Sequence, residues 1–453
     1  MTEPDQRQRL PFEIAFGWGF GTLGVASLYS ATNILALNYM TSVMGIGAAL
    51  AGALIAGSKI YDAFADPILG AISDRSQHKL GRRRPFLLWG GGLLAVSALM
   101  VFGLPNFENK VLAAWYMGFA LVFYATAYSI YNVPYIAMVA EMTDDFHERT
   151  RLMSFRVMNV SAANILANSI GPLIVAGLGS AATGHQGLAV LLAVVILVSS
   201  YGCYHMTRNA RFTERTTHVK FTFAEKVTFL AGNRPFMILI AVKLMGLMAL
   251  SLQAVFPILF TKVIGLGFRE FGLYFLIFSS VMLVVTPLWV RLGRGIGKRN
   301  AFILSLIGSA AIMASWWLAK TGDPFWTVAL RAALYGVTGC GTLMMGQALL
   351  PDTIEYDRLR TGMKREGIYA GLYTTVEKVA GAFSAGFAGI FLGAMGFVAS
   401  RPGEVVEQPA SAVTAIYIAI ALFPMAINLF SASLLLFYDL TEEKLAALKR
   451  KPA

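Results

Sequence analysis

The sequence predicts an all-α membrane protein with twelve transmembrane helices, arranged as two six-helix bundles. Hydrophobic residues make up 57% of the 453 residues and charged residues 14%, whereas an average soluble protein has roughly 25% charged residues. Apolar runs of about 20 residues, the length that crosses a hydrocarbon core of about 30 Å, recur along the whole chain. Short polar segments separate these runs and leave no room for a soluble domain of ordinary size.

The apolar runs define the predicted helices. In the first half they cover residues 12–41, 47–73, 85–104, 112–140, 153–177 and 187–206, and in the second half residues 235–261, 270–291, 300–319, 326–350, 366–396 and 411–438. The first run is too long for the core of a signal peptide and lacks a cleavage signature, so we expect a retained helix. The polar segment 207–234 is predicted to be a cytoplasmic linker between an N-terminal bundle (1–206) and a C-terminal bundle (235–453).

The net charge of +12 is explained by membrane topology and not by nucleic-acid binding. Most Lys and Arg residues lie in the N-terminus, the C-terminal tail and the loops that follow even-numbered helices. The opposite loops contain few: Lys110, Lys262, Arg269, Lys320 and Arg401. The basic side is normally cytoplasmic, so we expect both termini in the cytoplasm. The lack of a targeting peptide and of long outer loops favours a bacterial inner (plasma) membrane.

Short charged loops repeat between the two halves. The loop after the second helix reads Gly70-Ala-Ile-Ser-Asp74-Arg75 and then Gly81-Arg82-Arg83-Arg84-Pro85, and the loop after the eighth contains Arg294 in a similar Gly/Arg turn. The loops 141–151 and 352–365 both mix acidic and basic residues. We expect ion pairs that lock the bundles on the cytoplasmic side, with purely topogenic charge as the alternative. The candidates are Asp74, Arg75, Arg82, Glu141, Arg149, Arg294, Asp352 and Glu355.

Two parallel-oriented repeats with a midplane cavity between them are the architecture of the major facilitator superfamily. The Gly-Asp-Arg-Gly-Arg-Arg pattern around Asp74 and Arg82 also resembles the loop motif of that superfamily, although residues 76–80 are interposed here.

The second predicted helix contains two carboxylates, Asp62 and Asp66. An ionised side chain near the bilayer centre costs about 2.5–3.5 kcal/mol on insertion scales. Residues four apart share a helix face, and two such carboxylates repel unless a cation, a shared proton or a basic neighbour holds them. Pro67 frees a backbone carbonyl near Ala63 as a further oxygen ligand. The pattern therefore predicts a cation or proton site.

A structural alternative is that fixed basic residues neutralise the two carboxylates. Lys59 lies three residues before Asp62, within reach for an intrahelical ion pair, and Arg156 and Lys378 are further candidates. Lys378 lies well inside an apolar span rich in Ala, Gly and Phe, so we expect it to face the cavity.

Polar and aromatic residues in two other helices suit sugar recognition, by hydroxyl hydrogen bonds and by ring stacking. The fourth helix contains Tyr124, Tyr128, Ser129, Tyr131, Asn132 and Pro134, and the first contains Tyr29 and Asn33. Hydrogen bonding between helices is the alternative for each of them. The glycines of the first helix, Gly17, Gly19, Gly21 and Gly24, are predicted to allow close helix packing.

These motifs together resemble the glycoside–pentoside–hexuronide:cation symporter family. The run Tyr61-Asp62-Ala-Phe-Ala65-Asp66-Pro67 is similar to its second-helix motif, Tyr128-Ser129-Ile-Tyr131-Asn132-Val-Pro134 to its fourth helix, and residues 352–378 to its tenth-to-eleventh region. The resemblance implies that Asp62 and Asp66 bind the coupling cation, H⁺ or Na⁺, together with the Ser129 hydroxyl. It also implies that Lys378 lies between the cation and sugar sites and that Arg156 faces the sugar.

The sequence departs from the family pattern at informative positions. Ala65 replaces an asparagine beside the second aspartate, which predicts a shift of coupling from Na⁺ towards H⁺. Val25 or Ala26, Asn132 and Ile136 replace the acidic and stacking residues of the melibiose-type sugar site. Melibiose is therefore a poor candidate, whereas another glycoside, a pentoside or a uronide is compatible with the sequence. Arg156 with Lys378 would suit an anionic sugar.

The sequence as a whole favours a secondary transporter that moves a sugar or glycoside together with a cation by alternating access. One alternative is a lysophospholipid carrier, because the second-helix motif also resembles the sodium-dependent lysophosphatidylcholine carriers of animals. Another is a membrane receptor that binds without transport. We find no nucleophile–base pair, metal-ligand spacing or phosphate loop that would indicate an enzyme. The expected partners are a small-molecule substrate and membrane lipid, and we expect a monomer with no cofactor beyond the coupling ion.

Overall fold

A computed structural model of the chain describes residues 10–76, 78, 83–103, 107, 109–143, 146–178, 181–210, 232–362, 369, 376, 386–400, 406–440, 444–445 and 448. Within these ranges the chain is nearly all helical and contains no strand. Eleven helices of the described part are long and apolar enough to cross a membrane. The predicted all-α membrane fold is thereby confirmed. Most of the predicted eleventh helix, 366–396, lies outside the described residues, although 386–394 are helical.

The chain divides into two compact units. The first comprises Met1–Thr217, Gly267–Gly272 and Gly389–Gln408, and the second comprises His218–Leu266, Leu273–Ala388 and Pro409–Ala453. Most of the predicted linker lies outside the described residues, and its boundaries at 207 and 234 stay predictions.

The first unit contains the helices of the N-terminal half. They are α1 (Phe12–Phe20), α2 (Thr22–Ser42), α3 (Ala48–Arg75), α4 (Arg84–Phe102), α5 (Lys110–Met142), α6 (Phe146–Ile165), α7 (Gly171–Gly177) and α8 (Ala181–Thr207). The pair α1 and α2 is a single membrane crossing that is interrupted at Gly21, and a π-helical turn, Leu166–Ile170, joins α6 to α7 in another single crossing.

The second unit contains most of the remaining helices. They are α9 (Arg234–Ser251), α10 (Phe256–Ile258), α11 (Phe268–Ile296), α12 (Lys298–Ser315), α13 (Phe325–Thr361), α14 (Ala410–Tyr417) and α15 (Phe423–Leu436). Short 3₁₀ and π-helical segments, Leu252–Val255, Leu259–Ile264 and Ile418–Leu422, join successive pieces of a crossing. The first turn of α11 belongs to the first unit.

Several helices continue past the ends that hydropathy predicts. The longest, α13, has 37 residues, which at 1.5 Å per residue is about 55 Å against a hydrocarbon core of about 30 Å. A helix satisfies its own backbone hydrogen bonds, so it can extend into water, whereas hydropathy marks only its apolar part. The placement of the charged candidates in loops was therefore wrong. Asp74, Arg75, Glu141, Arg149, Arg294, Asp352 and Glu355 all lie in helices.

The first unit is held together by close contacts of α1 and α2. A Cβ atom on Gly24 would lie 2.5 Å from the Ile196 Cα of α8, and one on Gly19 would lie 2.6 Å from the Phe155 Cβ of α6. These distances confirm the predicted packing role of the first-helix glycines. Tyr131 of α5 donates its hydroxyl to the Gly21 carbonyl at 3.0 Å, so the helix-packing alternative holds for this tyrosine.

The second unit packs around a buried cluster that includes Trp289, Phe302 and Tyr438. The Trp289 Nε1–H donates to the Val337 carbonyl at 2.7 Å, which ties α11 to α13. Arg299 donates from Nε to the Leu435 carbonyl at 2.9 Å, at the end of α15. A cation at a helix C-terminus is favourable because it meets the last carbonyl groups and the helix dipole.

Candidate functional site

The two carboxylates of α3 lie on the helix that contacts α5 within the first unit. Asp62 and Asp66 are one turn apart and both half-buried. The fully buried Ser129 of α5 donates its Oγ–H to the Asp62 Oδ1 at 2.7 Å, the length of a charge-assisted hydrogen bond. The structure thus brings together the three residues predicted for the cation, and their role in binding it stays a prediction.

The backbone next to these carboxylates supplies a further oxygen. Pro67 lies inside α3 and has no N–H to give to the carbonyl four residues earlier, that of Ala63. Carboxylate, hydroxyl and carbonyl oxygens are the ligands that hard cations prefer. The arrangement can therefore hold either a small cation or a proton shared between carboxylates.

Three tyrosine rings line the same region. The ring centroids of Tyr29 and Tyr128 are 5.8 Å apart, and those of Tyr124 and Tyr128 are 6.0 Å apart. The electrostatic neighbours of the Tyr128 hydroxyl include Asp62, Asp66 and Arg156. The structure therefore places Tyr29, Tyr128 and Arg156, all predicted for the substrate, beside the candidate cation site.

Lys59 of α3 points towards these tyrosine rings. Its Nζ lies 4.6 Å from the Tyr29 ring centroid and 5.7 Å from that of Tyr124, which is the geometry of a cation–π interaction. The suggested intrahelical ion pair between Lys59 and Asp62 is not formed. The reason lies in packing, since α2 and α5 present aromatic faces to the ammonium group while α5 presents a hydroxyl to Asp62.

The remaining substrate candidates have fewer observed contacts. Asn33 and Asn132 are half-buried, and neither side chain makes a hydrogen bond within the described ranges. Lys378 lies outside the described residues. The sequence alone did not single out the Ser30 hydroxyl of α2, which donates to the Asn164 Oδ1 of α6 at 2.9 Å. The signal was available, since asparagine is uncommon in an apolar helix.

Two ion pairs lie at the ends of helices where charged residues repeat in the sequence. Arg83 Nε donates to the Glu141 Oε1 at 2.7 Å, and the exposed fractions of the two side chains are 6% and 12%. In the second unit the Lys298 Nζ lies 2.7 Å from the Asp352 Oδ2, with exposed fractions of 31% and 21%. Glu141 and Asp352 therefore form ion pairs, but each pair lies within one unit, and the predicted locking of one bundle against the other stays a prediction. Neither Arg83 nor Lys298 was among the candidates from the sequence.

The other charged candidates form no comparable pair in the described part of the chain. Glu355 lies 3.6 Å from Arg358 in the next turn of α13, and Arg75 and Arg294 are exposed. Arg82 lies outside the described residues. For Asp74 and Arg149 the structure describes the helical backbone and not the side chain.

Ionisable side chains within membrane-spanning helices commonly mark a substrate or ion pathway, and here carboxylates, a hydroxyl, basic groups and aromatic rings lie together. The sequence profile of the family described as "MFS/sugar transport protein" matches residues 17–442. The chain therefore belongs to the major facilitator superfamily, and within it to the glycoside–pentoside–hexuronide:cation symporter family.

Relatives and solved structures agree with this assignment. The chain is 28% identical to the glucuronide carrier protein homolog of Escherichia coli (strain K12), over 87% of this chain and 86% of that one. It is 25% identical to the isoprimeverose transporter of Lactiplantibacillus pentosus, over 87% and 83% of the two chains. A bacterial homologue of the human lysosomal transporter Spinster, solved inward-facing and unoccupied, has a TM-score of 0.66 at 13% identity, over 97% and 98% of the chains. This last likeness supports the fold alone.

Proposed function

We propose that the protein is a secondary active transporter that moves a sugar or glycoside together with a cation, H⁺ or Na⁺, by alternating access. The observation that carries the proposal is the hydrogen bond from Ser129 to Asp62, with Asp66 one turn away on the same helix. In this role the protein works as a monomer in a bacterial inner membrane, with both termini in the cytoplasm.

The physical argument starts from the cost of the two carboxylates. Each ionised aspartate near the bilayer centre costs about 2.5–3.5 kcal/mol, and a bound cation or proton removes most of that cost. A substrate that binds nearby then experiences a different electrostatic field with and without the cation. Tyr128 links the two sites, because its hydroxyl has both carboxylates and Arg156 as electrostatic neighbours. Coupling of this kind is reciprocal, so substrate also strengthens cation binding.

We favour H⁺ over Na⁺ as the coupling ion. Sodium needs several oxygen ligands, and Ala65 supplies none next to Asp66. A proton needs only one carboxylate, and two neighbouring carboxylates can share a single proton.

We expect the substrate to carry several hydroxyl groups. The tyrosine rings offer faces for stacking, and Arg156 offers directed donors. The names of two relatives support a sugar substrate. One relative is named for glucuronide, an anionic sugar derivative, and the other for isoprimeverose, a neutral sugar.

Uptake into proteoliposomes tests the proposal. The purified protein is reconstituted, a proton or sodium gradient is imposed, and the uptake of radiolabelled glycosides is measured. We expect gradient-driven uptake by the wild type and its loss in Asp62→Asn and Asp66→Asn. Asp439→Asn is the matched control, because it removes a carboxylate that lies beyond α15 and pairs with Lys444. Uptake that is the same with and without any ion gradient would contradict the coupling.

The same vesicles separate the alternatives. Gradient-driven uptake of lysophosphatidylcholine, with no sugar uptake, would replace the sugar proposal by the lysolipid one. Sugar binding without flux would indicate a receptor.

A further inference from the structure

We propose that Lys59 is a specificity-determining residue whose ammonium group binds the anionic group of the substrate, so that the preferred cargo is an acidic sugar and not its neutral counterpart. This inference rests on the proposed function and assigns one residue and one substrate charge within it. The observation behind it is the position of the ammonium group over the rings of Tyr29 and Tyr124.

Lys59 cannot place its charge in water at either end of its helix. It lies 11 positions beyond Ala48, the nearer end of α3, which is about 16.5 Å along the axis. A lysine side chain snorkels over a few ångströms only. Its charge therefore stays at the depth of the candidate site, where an ionised group costs about 2.5–3.5 kcal/mol.

The two tyrosine rings compensate only part of that cost. A cation–π contact contributes about 0.5–1 kcal/mol at exposed sites and about 2 kcal/mol when desolvated. No carboxylate of the described residues forms an ion pair with Lys59. The rings orient the ammonium group and leave its three N–H donors available, which suits an anion that arrives from outside.

A second basic side chain lies close to the same rings. Arg156 is an electrostatic neighbour of the Tyr128 hydroxyl, and the Tyr128 ring centroid lies 5.8 Å from that of Tyr29. An anionic substrate group that reaches Lys59 therefore has a second cationic partner in the same region.

A purely structural role for Lys59 makes a different prediction. If the lysine only offset the charge of Asp62 and Asp66, its removal would weaken the transport of every substrate by the same factor. If it binds the substrate anion, its removal weakens the transport of acidic substrates alone. The ratio between matched substrates therefore separates the two roles.

The experiment uses pairs of sugars that differ only at C6, where one member has a carboxylate and the other a CH₂OH group. Glucuronic acid is compared with glucose, and galacturonic acid with galactose, each as the free sugar and as its 4-nitrophenyl glycoside. The measured quantity is kcat/KM for gradient-driven uptake. We expect the wild type to prefer the acidic member by about tenfold or more, the size of one hydrogen bond to a charged group. Lys59→Gln brings the ratio of acidic to neutral kcat/KM close to one, and Lys59→Arg restores the preference.

Lys110→Gln is the matched control, since Lys110 is an exposed lysine at the start of α5. If Lys59→Gln fails to fold, Tyr29→Leu tests the same contact, because it removes one of the two rings that orient the ammonium group, and we expect the acidic-to-neutral ratio to fall. A wild type that favours neutral sugars in every pair, or a Lys59→Gln variant that weakens both members equally, overturns the inference while leaving coupled transport intact. The absence of gradient-driven uptake for every sugar contradicts the proposed function itself.

Discussion

The helices α3 and α11 occupy the same position, the second crossing in each half of the chain, yet their interiors differ. Both contain an internal proline, Pro67 in α3 and Pro287 in α11. The residue before the proline is Asp66 in α3 and Thr286 in α11. Residues 271–290 of α11 contain no charged side chain, whereas the corresponding part of α3 contains a lysine and two aspartates.

The contact with the neighbouring long helix differs in the same way. In the first unit, α5 gives a serine hydroxyl to Asp62. In the second unit, α13 places the Cys340 sulfur 3.5 Å from the Thr286 hydroxyl, and that hydroxyl also donates to the Met282 carbonyl of its own helix at 2.9 Å. The pair α3 and α5 therefore presents hard oxygen ligands. The pair α11 and α13 presents a soft sulfur next to a hydroxyl that is already hydrogen-bonded within its own helix. Repetition of the fold supplies the position, and the side chains decide whether an ion can bind there.

The charged helix ends show a smaller difference. The Arg83–Glu141 pair joins residues 58 positions apart, and the Lys298–Asp352 pair joins residues 54 positions apart. Each pair links the start of one helix to the next long helix. The first pair is buried, and Ser73 accepts a further hydrogen bond from Arg83 at 2.9 Å. The second pair is more exposed. The two halves thus share the pair and differ in how far it is removed from water.

The largest effect is expected when α3 receives the residue that precedes the proline in α11. Asp66→Thr removes the second carboxylate, so we expect gradient-driven uptake to fall by about 100-fold or more, the effect of losing about 2.7 kcal/mol of interaction. Uptake into proteoliposomes measures it. Thr286→Val is the control, and we expect it to keep coupled uptake, because among the described residues the Thr286 hydroxyl contacts the Met282 carbonyl and the Cys340 sulfur of the second unit. Full coupling in Asp66→Thr would show that Asp66 is not part of the ion site.

The next effect concerns stability and the two ion pairs. Arg83→Gln breaks a buried pair, and we expect the free energy of unfolding in detergent to fall by about 3 kcal/mol. Lys298→Gln breaks the more exposed pair, and we expect a loss of about 1 kcal/mol or less. Denaturant titration of both purified variants measures the difference. Equal losses would mean that burial does not distinguish the two pairs.

The same comparison shows which features of the fold and of the candidate site could be predicted from the sequence. The ion site at Asp62 and Asp66 could be predicted because a charged residue in an apolar run has few explanations. The packing role of the first-helix glycines could be predicted because small residues at helical spacing allow helices to approach closely. Hydropathy could not give the ends of α13, since it reports contact with lipid and not the continuation of a helix. Among three consecutive arginines, the choice of Arg83 as the partner of Glu141 depends on where α4 begins.

The direction of the Lys59 side chain was equally hidden. Its spacing allowed an ion pair with Asp62, and the structure instead places it over two rings contributed by other helices. Helix rotation and the choice of rotamer depend on packing between segments far apart in sequence, which no local pattern records.

The smallest effect is expected from exchanging the atoms that α5 and α13 present to their neighbours. Ser129→Cys replaces the hydroxyl at Asp62 by a weaker donor and softer ligand, so we expect the apparent affinity for the coupling ion to fall about tenfold, the lower end for a hydrogen bond to a charged group. Maximal uptake at saturating ion concentration should persist. Cys340→Ser makes the reverse change, and we expect no shift, because Thr286 offers no charge to stabilise. The dependence of initial uptake on ion concentration measures both. A shift in Cys340→Ser that matched the one in Ser129→Cys would mean that the two halves share the ion site, and the contrast between α3 and α11 would then be one of degree.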